Sequence, residues 1–320
     1  MRLGLFELLG AHPDRTTEEI RRHLNIADHS VRALLLSCAS LGLIKRDHRR
    51  STYRNSEHVD KVLVGAPAAY RVAHLEAFNT LMYRPFYHLT ESLQRGTNVG
   101  LQLFAGQGHT LYERLESDPE GKRIFYDWMA ALSGGRVRIP AAVVEAFGEA
   151  RHVLDIGGGN AGNAMELVQR LPEIKVTIVD LAVVCEIAAR DVAAAGLSDR
   201  ITMHSTNNFL EDPFPRGADA IMFAHIFNIY SDNANQALVG KSAGALPKDG
   251  KLAIYNMVSD DDQTGSWHAG FMSLYFQVLA TGTGLVYPSS RYETWFANAG
   301  FDVLAISTAE WGDTIFIGTK

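Results

Sequence analysis

Apolar residues recur at helical spacing through the first third of the chain, then change at Val153 to short unbroken runs separated by helical stretches. Thr16 and Glu19 stand where a capping box opens a helix carrying Ile20 and Leu24 on one face. Asp28 is expected to cap a second, leucine-rich helix over 30–40, which Leu41-Gly42-Leu43-Ile44 ends. Lys45 to Arg54 reads as a basic β-wing, so residues 1–66 are expected to form an α-helical winged-helix domain. From Pro67 to about Leu132 the pattern is helical and aromatic-rich, punctuated by Pro85 and Pro119, with Gly134 and Gly135 marking a connection. Residues 67–135 therefore read as a helical linker and substrate lid.

Beyond Val153 the runs predict strands at 153–156, 176–179, 201–204, 218–223 and 252–255, with helices at 163–171, 182–195, 265–280 and 292–299. Two further strands, 301–306 and 314–318, close the chain as a hairpin. Alternating β and α units followed by a hairpin imply a mostly parallel sheet with one antiparallel strand. The fold class is α/β, with a Rossmann-like domain over 136–320.

Composition narrows the options. Hydrophobic residues make up 47% and charged residues 21%, a globular balance. The formal net charge of -6 argues against a general nucleic-acid binder. Cys38 and Cys185 lie far apart in no metal-type spacing, which favours a reducing, cytoplasmic setting and no metal. No apolar run approaches the ~20 residues that a membrane span needs.

The strongest chemical signal is Asp155-Ile156-Gly157-Gly158-Gly159-Asn160-Ala161-Gly162, which follows a strand and opens a helix. Glycines let the backbone pass close to a ligand, and the helix start presents unpaired N–H groups. Asp180, ending the second strand beside Leu181, is placed to accept two ribose hydroxyls. Gly157, Gly159 and Gly162 also satisfy a dinucleotide fingerprint, so NAD has to be weighed. Three features favour S-adenosylmethionine (SAM). Asp155 precedes the glycines and suits a ligand bearing an ammonium group; the domain ends in the hairpin; and Asn207-Asn208-Phe209 follows the third strand, where an amide can read an adenine edge.

These residues resemble the bacterial and plant small-molecule O-methyltransferase family, which includes caffeate and acetylserotonin methyltransferases. Leu5 to Leu9 and Leu36 to Leu43 resemble its dimerising winged helix, Phe125 to Leu132 its closing helix, and Asp155 to Gly159 its glycine motif. The resemblance implies SAM as cofactor, S-adenosylhomocysteine as product, a small aromatic substrate and a homodimer. The chain starts about one helix later than many members do. A DNA-binding reading of the basic wing is disfavoured, because the second helix carries Val31, Leu34, Leu35, Leu36 and Ala39 where polar side chains would reach bases.

One departure from the family changes the chemistry. Its usual His-Asp-Trp motif follows the fourth strand, where the histidine is general base, and two glutamates orient it. By resemblance Asn228 holds the base position, Tyr230 the tryptophan, and Asn256 and Ser289 the glutamates. An amide cannot take a proton at neutral pH. His268, and His225 on the fourth strand, are candidate replacement bases near neutral pH. His268, Met272 and Tyr275 share one helical face, and Phe125, Met129, Asn256, Phe271, Met272 and Tyr275 are the candidate substrate contacts. Tyr230 is expected to pack on adenine. The reading is a SAM-dependent methyltransferase of secondary metabolism acting on a small, amino-acid-derived phenol, leaning to carbon methylation. O-methylation by proximity, SAM-assisted hydroxylation and a SAM-sensing winged-helix regulator are the rivals.

Overall fold

The computed structural model describes residues 2–65, 69–136, 139–262, 264–308 and 313–320; Pro67, the expected start of the helical stretch, lies outside them. The chain divides into two compact units, residues 1–80 with 123–135, and 81–122 with 136–320.

The first unit opens with α1 (Leu5–Ala11), β1 (Arg15–Thr16), α2 (Thr17–Leu24) and α3 (Asp28–Ser40). A hairpin of β2 (Ile44–Asp47) and β3 (Thr52–Asn55) follows, then α4 (Glu57–Leu63) and α5 (Ala69–Ala77). The capping box forms as expected: the Glu19 N–H donates to Thr16 Oγ1 at 3.3 Å and the Thr16 N–H to Glu19 Oε2 at 2.8 Å. Asp28 does not cap α3. The extended residue Ala27 turns the chain, and Asp28 is already helical, its carboxylate accepting from Arg32 Nε at 2.8 Å in the first turn. The hairpin pairs Ile44 with Asn55 and Asp47 with Thr52, and β1 joins its outer edge. Leu9, Ile20, Val31, Leu35 and Ile44 are the buried core of this unit, while Leu36 and Leu41 are each 73% exposed.

The second unit begins with α6 (Leu89–Arg95), α7 (Leu111–Leu115) and α8 (Pro119–Arg136), whose residues 123–135 group with the first unit. Gly134 and Gly135 continue α8 rather than marking a connection; the preceding helical turns carry the chain through them. After α9 (Ala141–Ala146) come β4 (His152–Ile156), α10 (Gly162–Arg170), β5 (Lys175–Asp180), α11 (Ala182–Ala194), β6 (Ile201–Ser205) and β7 (Ala220–Ala224). Then follow α12 (Asp232–Ala245), β8 (Lys251–Asn256), α13 (Trp267–Tyr275), α14 (Ser289–Asn298), β9 (Asp302–Thr308) and β10 (Thr314–Thr319). The expected helix over 265–280 is shorter than its pattern: at Phe276 the α-helix gives way to a wider π turn through Ala280.

The seven strands lie in the order β6-β5-β4-β7-β8-β10-β9, and β10 alone runs antiparallel, to both neighbours. Alternate residues of β4, β5, β7, β8 and β10 feed two cores. Val153, Ile178, Met222 and Ala253 face one layer; Leu154, Val179, Ile221 and Leu252 face the other. Strand order reverses between β4 and β7, so a crevice for ligands opens beyond their carboxyl ends.

Candidate active site

The glycine turn sits at that reversal. The Gly157 N–H donates to the Val179 carbonyl at 2.8 Å, stitching the loop to β5. Gly157 and Gly159 adopt φ of +72° and +57°, the left-handed region that favours glycine. A Cβ at Gly157 would stand 2.3 Å from Ile226 Cδ1, whereas at Gly159 it would enter open space. That opening beside exposed backbone is what a ligand lying along the turn requires.

Two carboxylates flank it. Asp180 receives the Gly159 N–H on Oδ2 at 3.0 Å and the Leu181 N–H on Oδ1 at 2.7 Å. Burial raises its pKa, and these two donors partly offset the rise. Asp155 is fully buried, and neither of its oxygens has a hydrogen-bond partner. Burial first, and then the Asp180 charge, push its carboxyl up to about 8. An unpartnered buried acid is unfavourable until a cation or donor satisfies it. A molecule carrying both an ammonium and ribose hydroxyls meets the needs of this pair. Tyr230 belongs to the same neighbourhood: burial, then the Asp180 charge, push its phenol up to about 12.

After β6, Asn207 is exposed and Asn208 half-buried. Asp212 organises this loop by accepting from the Thr206 hydroxyl at 2.8 Å and the N–H groups of Asn207 at 2.8 Å and Asn208 at 3.3 Å. Asn208 Oδ1 caps the Leu210 N–H at 2.9 Å, so its NH2 is the end left for a ligand. Phe209 comes within 4.0 Å of the position a Gly157 Cβ would take.

Asn228 lies in a 3-10 turn, Phe227–Ile229, beyond β7. The turn is pinned from two sides: Asn235 Nδ2 donates to the Phe227 carbonyl at 2.8 Å and the Thr281 hydroxyl to the Ile229 carbonyl at 2.7 Å. The Asn228 amide donates to the Met257 carbonyl at 3.1 Å and accepts from the Tyr292 hydroxyl at 3.3 Å. Asn256 donates to that same hydroxyl at 3.0 Å. Arg291 and Trp295 both hold Asp232, which fixes α14 against α12 and delivers Tyr292 between the two asparagines. Sequence reasoning placed Asn228 and Asn256 together but missed Tyr292. Its one available signal was a hydroxyl on an otherwise apolar helix face. Ser289 is the first residue of α14, one turn before Tyr292.

His225 is not on the strand but just after it: its N–H still reaches the Tyr255 carbonyl at 3.0 Å, and its φ of +58° ends the extended run. Its Nε2 lies 3.4 Å from Asp313 Oδ2, a partner unread in the sequence. His268 is half-buried at the start of α13, its ring 5.5 Å from that of the exposed Trp267. Phe271 stacks on Phe86 with centroids 5.3 Å apart, Met272 is half-buried, and the buried Tyr275 hydrogen-bonds Tyr112. Phe125 and Met129 belong to the first unit, where Phe125 packs edge-on to Trp128.

A family model described as an O-methyltransferase domain matches residues 86–302. The L-tyrosine C(3)-methyltransferase of Streptomyces lavendulae is 33% identical over 94% of this chain and 81% of its own length. The 3-hydroxy-5-methyl-1-naphthoate 3-O-methyltransferase of Streptomyces sahachiroi is 29% identical over 93% of this chain and 82% of its own. Among solved structures, the SAM-dependent methyltransferase SibL in its apo form superposes with a TM-score of 0.77 at 30% identity, covering 100% of this chain and 93% of that one. With the glycine turn and its carboxylate pair, these matches show that the chain belongs to the O-methyltransferase domain family and is a methyltransferase whose cofactor is SAM.

Proposed function

We propose that this enzyme methylates a small aromatic metabolite of secondary metabolism, an amino-acid-derived phenol, and that carbon is the atom methylated. The observation that carries the reading is the Asn228 amide at the family's base position, bonded to Met257 and Tyr292, where no neighbour in that network can take a proton at neutral pH. SAM, when bound, supplies an electrophilic methyl on a sulfonium. Gly157, Gly159 and Asp180 hold its adenosyl end, Asp155 answers its ammonium, and Tyr230 packs on its adenine. Asn207 and Asn208 edge the same end, with Leu181 beneath.

The acceptor's position matters more than a base, since reacting atoms held about 3–3.5 Å apart and in line need little else. Asn228 and Asn256 orient its oxygen. Phe271, Met272 and Tyr275 of α13 are the proposed apolar contacts. His268 is the proposed acceptor for the ring proton, and His225, steadied by Asp313, the alternative. The tyrosine C-methyltransferase among the relatives supports carbon. The naphthoate O-methyltransferase supports the second reading, transfer to an oxygen that arrives already ionised. We further propose a cytoplasmic homodimer formed through the exposed leucines of the N-terminal unit. The deciding experiment incubates the enzyme with carbon-13 methyl-labelled SAM and L-tyrosine or simple para-substituted phenols. A product signal in the aryl-methyl range supports the reading; an exclusively O-methyl signal overturns the carbon assignment.

A further inference from the structure

One backbone oxygen sets the polarity of the hydrogen bonds around Asn228. The Met257 carbonyl can only accept, so the Asn228 atom 3.1 Å from it is Nδ2. Oδ1 then lies 3.3 Å from the Tyr292 hydroxyl, which has to donate to it. Having given its proton there, that hydroxyl accepts from Asn256 Nδ2 at 3.0 Å. Asn256 and Tyr292 are wholly buried and Asn228 is 6% exposed, so water cannot readily substitute for a broken link. Turning the Asn228 amide over would set its oxygen against the Met257 carbonyl and its NH2 against the Tyr292 hydroxyl. Asn228 keeps one amide hydrogen that neither contact uses.

We propose that Tyr292 is a positioning residue that locks the Asn228 carboxamide, so that its unused N–H is offered to the oxygen of the acceptor and holds it as the phenolate left when the phenol gives its proton to solvent water. The proposal rests on the phenol reading above and explains how a site with an amide at the base position can still favour the reactive form. A fixed N–H stabilises the charged oxygen, while a carbonyl at the same place would repel it. Charge held on the ring system activates the ortho carbons, while the hydrogen bond occupies the oxygen.

The test uses the full chain as wild type, as Tyr292→Phe, and as Tyr292→Phe with Asn256→Leu, which removes the donor that the first change orphans. Exchange of the Asn228 side-chain amide protons, followed by NMR on protein labelled at asparagine nitrogen, needs no acceptor. It should be about tenfold faster in both variants. Absorbance titration of 4-nitrophenol in the complex with S-adenosylhomocysteine should show ionisation at lower pH than free in solution, with both variants moving back towards the free value. Unchanged exchange in both variants overturns the lock. Faster exchange with an unmoved nitrophenol titration, or no displacement in wild type, overturns the N–H-to-acceptor assignment. Altered exchange and titration without methyl transfer to any phenol leave the lock standing and count against the phenol reading instead.

Discussion

Gly159 and Asp180 are joined by one hydrogen bond, backbone N–H to Oδ2 at 3.0 Å, across 21 residues of chain. It fastens the glycine turn to the end of β5 and orients the carboxylate that the ribose hydroxyls would meet. Removing that carboxylate in Asp180→Ala should weaken SAM binding by about 1.5–3 kcal/mol, roughly 10- to 150-fold, the usual worth of hydrogen bonds to a charged group. Calorimetry with SAM and its demethylated product reads this directly; unchanged affinity would separate Asp180 from the cofactor.

The glycines should fail in different ways. Gly157→Ala meets Ile226 at 2.3 Å in a left-handed backbone, so it should lower stability by about 1–3 kcal/mol, seen as a reduced unfolding midpoint. Gly159→Ala meets only open space and should lose about 1–2 kcal/mol from its φ of +57°. Its larger effect should be on SAM affinity, because the methyl enters the volume left for the ligand. Equal losses of affinity in the two variants would count against the placement of the cofactor along the turn.

The contribution of Asp155 to the stability of the ligand-free protein should fall as pH rises from about 4 towards 8. Asp155 titrates near 8 when folded and near 4 when unfolded, so the folded state binds the extra proton across that window. The stabilising contribution is complete below the unfolded value and is lost as pH passes the folded one. A cationic ligand favours the ionised carboxyl, so the gain in melting temperature with SAM should grow over the same range. Thermal melts of wild type and Asp155→Asn, with and without SAM, check both slopes; a pH response persisting in the variant would assign it elsewhere.

Asn228→His restores a group able to accept a phenol proton. The ratio of O- to C-methylated product should rise on the order of tenfold or more, at or below the roughly 10²–10⁴-fold that general bases contribute. Chromatography with mass and NMR identification of products from L-tyrosine measures the ratio, and a constant ratio would mean that position 228 does not govern the atom chosen.

In the proposed dimer Leu36 and Leu41, each 73% exposed in the single chain, meet the second copy. Sedimentation should show a dimer for wild type and a monomer for the chain carrying Leu36→Glu and Leu41→Glu. A wild-type monomer would end the proposal.

Much of this molecule is written locally. The runs at 153–156 and 176–179 are buried on both faces, as parallel strands require, and the Thr16–Glu19 pair caps its helix within four residues. The aspartate–glycine turn is equally legible, since adjacent residue types state it, and so is the amide at Asn228 that the proposed function puts in a base's place. What needed tertiary structure is whatever joins distant segments. Tyr292 meets Asn228 across 64 residues and Asn256 across 36. His225 finds Asp313 only because β10 inserts between β8 and β9. Periodicity along a chain reports which face of an element is buried. Only the packing of β7, β8 and α14 against one another decides which hydroxyl sits between two amides, and hence which way the one at Asn228 points.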